Sequence, residues 1–259
     1  MKVLVTRFIV FILIIIASIH LYQEEHSLKN KHWTYEGETA PEHWAEIEKD
    51  SDCNGRNQSP INIVEINTQL VEKAKDDLNI HYSPFTFINS VVNNGHSIQF
   101  NFERGDSLQY KNKVYHLAQI HFHEPAEHTI NGIRYPLEIH LVHANEDNSY
   151  TVMAIVAKEG IESDIFEFLE SFLPIEVNDE KTIHEPLDLT TLFPKDKSYF
   201  SYKGSLTTPP CSESVDWIIF KEPIIVSVEE VLKLKKNMPK DNYRNEQPLN
   251  DRIVELHLR

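Results

Sequence analysis

The chain has 259 residues, is 41% hydrophobic and carries a formal charge of −15. That length supports one large domain with its own core, and the acidic balance excludes a nucleic-acid binder or a protein that docks on anionic lipid. Fourteen His against two Cys and seven Gly direct attention to imidazole chemistry, and to turns made by Asn, Asp, Ser and Pro.

Residues 1–22 read as a secretory signal peptide. Lys2 and Arg7 give a basic start, residues 8–19 are almost wholly apolar, and no acid occurs before Glu24, so the remainder carries −17. The run is shorter than the ~20 apolar residues of a spanning helix, so no stable membrane span is expected once the segment is removed. The cleavage point lacks a clean small-x-small pair, and an uncleaved N-terminal anchor is the competing reading. The mature domain, 23–259, is expected to be exported, periplasmic or extracellular. Cys53 and Cys211 would be free thiols in a cytosolic protein; after export a disulfide is the better reading.

Trp33, Tyr35 and Trp44 make an aromatic N-terminal segment, by default packing residues. Period-2 alternation then predicts short strands. One spans 60–63 with Pro60 at its start, where a missing N–H is tolerated; others span 78–82 and 97–102. The last follows the turn Asn93-Asn94-Gly95, so His96 stands at a strand entrance. Residues 108–110 and 114–116 read as a hairpin about Asn112.

The most informative stretch comes next. In residues 119–123 Gln119, His121 and His123 share one face while Ile120 and Phe122 point the other way. In residues 137–143 Glu138, His140 and Val142 share a face opposite Leu137, Ile139 and Leu141. Asn131-Gly132 in the connection is a strong hairpin signal. Paired antiparallel, the strands bring three imidazoles together. Three neutral imidazoles suit Zn²⁺ and leave a fourth position open, the catalytic arrangement. Gln119 and Glu138, each two residues before a His on the same face, can orient His121 and His140 through their second nitrogens. His-x-His alone is weak evidence, since a lone strand His is usually a core or surface residue. The third in-phase His and the two orienting side chains make the signal specific.

Residues 150–157 form a near-continuous apolar run, a strand buried on both faces. Residues 163–173 predict a helix with Ser163 as N-cap and a stripe of Ile165, Phe166, Leu169, Phe172 and Leu173, stopped by Pro174. Residues 188–200 are turn-rich. Thr207-Thr208-Pro209-Pro210 by itself is only a rigid turn. Val215, Trp217 and Ile219 alternate on the following strand. Ser227 and Glu230 form a capping box that opens a helix to about residue 236, and residues 253–258 predict a last strand. Together these elements predict an α+β, strand-dominated single domain, with short peripheral helices around a large, mostly antiparallel twisted sheet.

His121-Phe122-His123, Glu127 to Gly132, Leu137 to His143, Asn93 to His96 and Gly204 to Cys211, in this order, resemble the signature blocks of the alpha-class carbonic anhydrases, secreted bacterial members in particular. The resemblance runs from about Trp33 to Arg252. Carbonic anhydrase is itself the standard example of the three-His zinc site with an open position, so that match is not independent of the rule used above. The resemblance implies reversible hydration of CO2 to bicarbonate and a proton by a zinc-held hydroxide. One Zn²⁺ per chain would sit on His121, His123 and His140. It implies that His96 shuttles the proton and that Glu127 accepts the Thr207 hydroxyl proton, so that Thr207 orients the nucleophile. Tyr35, Asn94 and Gln99 would order the relay water, Gln99 standing where Asn is common. Val142, Val152, Leu206, Thr208, Val215 and Trp217 would wall an apolar substrate pocket. It implies a Cys53–Cys211 bond, which in the chain-entropy model is worth roughly 4–5 kcal/mol, and cis peptides at Ser59–Pro60 and Pro209–Pro210. Glu124 is a departure from the family pattern and adds negative charge near the site. Secreted bacterial members are often homodimers, so the resemblance allows a homodimer. Two other functions compete: an ester hydrolase using the same zinc, and a catalytically silent binding protein. The three His with Glu127 and Thr207 argue against the second.

Overall fold

Alternation of apolar and polar residues decides the architecture. The computed structural model describes residues 32–72, 77–147 and 149–259; the expected leader, 1–22, lies outside the described residues. Sixteen strands occur among them: β1 (Asn62–Ile63), β2 (Gln69–Val71), β3 (Asn79–His81), β4 (Thr86–Asn93), β5 (Ile98–Phe102), β6 (Ser107–Tyr110), β7 (Lys113–His123), β8 (Thr129–Ile130), β9 (Ile133–Arg134), β10 (Leu137–Ala144), β11 (Tyr150–Glu159), β12 (Glu180–Leu187), β13 (Tyr199–Ser205), β14 (Glu213–Phe220), β15 (Ile224–Val226) and β16 (Glu255–His257). One sheet runs β12-β4-β5-β7-β10-β11-β14-β13-β16-β2, with β3, β6 and β15 attached beside it. Its neighbours are antiparallel apart from β11–β14, β11–β15 and β16–β2. No helix among the described residues is long and apolar enough to cross a membrane.

The sheet has a core on each face. Ile120, Phe122, Ile139, Leu141, Met153 and Ile155 join one cluster, which also takes in Ile165, Phe166 and Leu169 of the helix Asp164–Glu170 and Val231 and Leu234 of the helix Val228–Lys235. Val152, Ala154, Val156, Phe200, Val215, Trp217 and Ile219 join the other. Strand β11 contributes to both, which is why its sequence is continuously apolar rather than alternating.

Four local expectations are refined. Asn131 and Gly132, with φ of 53° and 77°, turn the small β8–β9 hairpin, which pairs with β1 in a second sheet; they do not join β7 directly to β10. Ser163 precedes its helix, but its side chain makes no capping bond. Its own amide is held by Glu230: one carboxylate oxygen accepts the Ser163 amide at 2.8 Å and the other accepts the Ser227 amide at 2.7 Å within the capping box. One buried acid thus serves the starts of two helices. Strand β12 was not foreseen, because on this sheet edge only Ile183 and Leu187 are buried. Ser59–Pro60 and Pro209–Pro210 are cis as the resemblance implies, and so are Glu124–Pro125 and Leu173–Pro174. Cys53 and Cys211 are disulfide-bonded, their Cα atoms 4.9 Å apart.

Candidate active site

The β7–β10 register sets His121 opposite His140, His123 opposite Glu138 and Gln119 opposite Val142. Because side chains alternate strictly, these six project from one face. His121 Nδ1 donates to Gln119 Oε1 at 2.9 Å. His140 Nε2 donates to Glu138 Oε1 at 2.8 Å. His123 Nδ1 donates to the Asn242 carbonyl at 2.6 Å. The remaining nitrogens converge: His121 Nε2 and His140 Nδ1 lie 3.3 Å apart. One ligand atom from each ring lies within 4.8 Å of the others, a group that could hold a metal ion. Burial, chiefly, lowers the pKa of all three, His123 to about 4 and His121 well below its ordinary value. All three rings are therefore neutral at physiological pH, with lone pairs to offer.

His128, Glu138 and His140 also lie within that distance of one another, but their atoms are already committed. Glu138 Oε1 accepts from His128 Nδ1 at 2.7 Å as well as from His140, and its Oε2 accepts the amides of Glu127 and His128, both at 2.8 Å. Burial opposes a charge on Glu138, yet His128 and His140 hold its pKa well below the carboxylate range. His128 Nε2 bonds Tyr202 Oη at 2.7 Å, which bonds Ser59 Oγ at 2.8 Å. This group is a scaffold beneath the three rings.

Glu127 is wholly buried, with Oε2 3.5 Å from His123 Nε2. Burial pushes its pKa up to about 7, against the opposing pull of His140, the Thr207 hydroxyl and the Arg244 amide; that amide donates to Glu127 Oε1 at 2.9 Å. Thr207 is buried. Its loop is closed by Leu206 N–H to the Ser212 carbonyl at 3.0 Å and Cys211 N–H to the Thr208 carbonyl at 2.8 Å, and is tied by the disulfide to Cys53. Val142, Val152 and Trp217 form one row across β10, β11 and β14. Val215 and the half-buried Leu206 belong to the same cluster, and Thr208 is half-buried. The Trp217 ring lies 4.9 Å from that of His140, fixed by Nε1–H to the Ser205 carbonyl at 3.0 Å.

At the rim His96 stacks on Trp33, centroids 3.7 Å apart and planes 13° apart. Asn94 Oδ1 accepts the amides of His96 and Ser97 at 2.9 and 2.8 Å. Gln99, in register with His121, donates to Asn101 Oδ1 at 2.7 Å and lies 3.4 Å from Asn94 Nδ2. Tyr35 is buried, and burial together with Glu127 pushes its pKa up. Burial, then His32, lowers the His96 pKa to about 4 in this pose. Glu124 pairs with Lys235 at 2.8 Å, which neutralises the charge that its position suggested.

Asn242 and Arg244 were missed. Asn242 orients His123 through its backbone carbonyl, and Arg244 donates to Gln58 Oε1, the Ser59 carbonyl and the Cys53 carbonyl. No periodic pattern marks them, because both act from an irregular segment more than a hundred residues downstream of His123.

The chain matches the eukaryotic-type carbonic anhydrase family model over residues 39–257. It is 40% identical to a carbonic anhydrase of Klebsiella pneumoniae and 37% identical to one of Pectobacterium carotovorum, each covering 86% of this chain and 90% of the relative. The solved alpha-carbonic anhydrase of Thermovibrio ammonificans superposes with a TM-score of 0.81 at 38% identity, covering 86% of this chain and 98% of that one. With three imidazoles converging on one face of such a sheet, the chain belongs to the eukaryotic-type (alpha) carbonic anhydrases, the zinc-dependent enzymes of CO2 hydration.

Proposed function

We propose that the chain hydrates CO2 reversibly to bicarbonate and a proton, with one zinc ion held by His121 Nε2, His123 Nε2 and His140 Nδ1. The division of labour within each ring carries this reading: Gln119, Asn242 or Glu138 engages one nitrogen, and the other faces a common point. His123 Nε2 is buried with no hydrogen-bond partner, a state that costs about 1–3 kcal/mol and that a metal would relieve. When bound, the ion acts as a Lewis acid that brings the pKa of its water near neutral, chemistry for which carbonic anhydrase is the standard example.

The side chains supply position, dryness and proton movement. Glu127, fed by the Arg244 amide, accepts the Thr207 hydroxyl proton. The Thr207 oxygen is then left to accept, which fixes the direction of the nucleophile's lone pair. Val142, Val152, Leu206, Val215 and Trp217, with Thr208 at the edge, exclude water and suit an uncharged substrate lacking donors. His96 carries the proton out along water ordered by Tyr35, Asn94 and Gln99. Residues 23–259 act as the catalytic domain after removal of residues 1–22. The chain works outside the cytoplasm, since a disulfide persists in an oxidising compartment.

Stopped-flow CO2 hydration, with zinc content measured on the same sample, tests the reading. Wild type is expected to bind one zinc and hydrate CO2 rapidly, and His121→Ala to lose both. Stoichiometric zinc without hydration in the wild type would overturn it.

A further inference from the structure

We propose that Arg134 is a positioning residue for the reaction: its guanidinium clamps the segment carrying Glu127 to the segment carrying Arg244, and so fixes the carboxylate that directs Thr207. The proposal rests on the reading of Glu127 and Thr207 as the pair that orients the nucleophile.

Glu127 Oε1 accepts the Arg244 amide at 2.9 Å across 117 positions of sequence. Neither residue belongs to a strand or helix, so no ladder of backbone bonds keeps the two in line. Arg134 touches both sides of their bond. On one side its Nη1 donates to the Ala126 carbonyl and, at 3.1 Å, to the Glu127 carbonyl. On the other its Nη2 pairs with Glu246 Oε2 at 2.7 Å, and its guanidinium lies over the Tyr243 ring, 4.4 Å from the centroid. Tyr243 and Glu246 flank Arg244. The Arg244 side chain is spent elsewhere, on Gln58, Ser59 and Cys53, so it cannot do this work itself.

The fold delivers Arg134 to this place. It ends β9, whose hairpin partner β8 pairs with β1, and the Tyr135 carbonyl accepts the Ala126 amide at 3.0 Å. Arg134 and Glu246 are only 22% and 30% exposed, so solvent screens their pair incompletely. A planar fork can bond carbonyls on one side, a carboxylate on the other, and stack on a ring. The point charge of a lysine cannot reproduce that set.

The test compares zinc-loaded wild type, Arg134→Lys, Glu246→Ala, Glu127→Ala and the Arg134→Lys/Glu127→Ala double variant. Stopped-flow CO2 hydration gives kcat/KM, chelator competition gives zinc affinity, and amide hydrogen exchange reports on the Arg244 N–H. Arg134→Lys is expected to lower kcat/KM by roughly tenfold to 10²-fold, the scale of a displaced orienting group, and to speed exchange at Arg244. Zinc affinity should hold, because Asn242 is fixed separately by the His96 and Phe122 carbonyls and the Glu124 amide. In the Glu127→Ala background Arg134→Lys should cost nothing further, since two changes on one path are not additive. Glu246→Ala should show a smaller loss in the same direction, and it carries the test if Arg134→Lys fails to fold. Wild-type kcat/KM in both variants would overturn the proposal. A loss that persists in full in the Glu127→Ala background, or that comes with a fall in zinc affinity, would make Arg134 merely structural and also overturn it. Zinc-loaded wild type without hydration would overturn the functional reading itself, and the proposal with it.

Discussion

Strands β7 and β10 bury side chains in two different ways, one residue apart. On one face Ile120, Phe122, Ile139 and Leu141 are fully buried among other apolar groups. Their contribution is non-directional and depends on volume and area. On the other face Gln119, His121, His123, Glu138 and His140 each have a named partner atom at hydrogen-bond distance. That face gains its order from directional bonds, each worth little net but costly to leave unmade. One face therefore sets stability and the other sets geometry, and mutation can separate them.

The separation is broken most strongly from the apolar side. Phe122→Ala removes a fully buried ring that packs edge-on to Phe100 at 6.2 Å. It is expected to cost about 3–5 kcal/mol of stability, read by urea denaturation, while the folded fraction keeps its zinc affinity. A large loss of zinc affinity in folded protein would show that the two faces are coupled through the backbone. From the polar side, Gln119→Ala frees His121 Nδ1 and should weaken zinc binding by roughly 10–100-fold, measured by chelator competition, with little change in unfolding midpoint. Glu138 would be a poorer probe, because it also serves His128 and two amides.

Smaller effects sharpen the contrast away from both faces. Ser227→Ala deletes the capping-box acceptor and should cost about 1 kcal/mol, with unchanged kcat/KM for CO2. Glu213 accepts the Asn57 amide at 2.7 Å and the Gln58 side chain at 3.1 Å; burial opposes its charge, but these bonds lower its pKa. A lowered folded pKa contributes stability above the unfolded value, lost as pH falls through the folded one. Glu213→Gln should therefore flatten the acid limb of the stability curve slightly and leave neutral-pH stability near that of wild type minus this contribution. Stability at pH 3 falling as steeply as in the wild type would exclude a role for Glu213.

The elements read from sequence were those whose reason is local. The phase of His121, His123 and His140, the companion positions of Gln119 and Glu138, the doubly buried β11 and the Ser227–Glu230 box are all written in spacings of two to four residues. Strand β12 escaped because an exposed edge needs few apolar residues. Ser163 takes the N-cap position read from its local sequence, but its side chain makes no capping bond and its own amide is held by Glu230, remote in sequence. The β7–β10 connection was misread because Asn131-Gly132 marks a turn without saying which strands it joins.

Sequence alone determined which imidazoles could share a face, because strand geometry permits one alternation and the in-phase residues follow from it. Tertiary structure decided what completes them: the Asn242 carbonyl on His123, the Arg244 amide on Glu127, and the Tyr202–Ser59 pair beneath His128. Two of these partners are backbone groups, which every residue carries and no residue type announces. All of them bring together atoms more than sixty positions apart, a distance that only the packed chain closes.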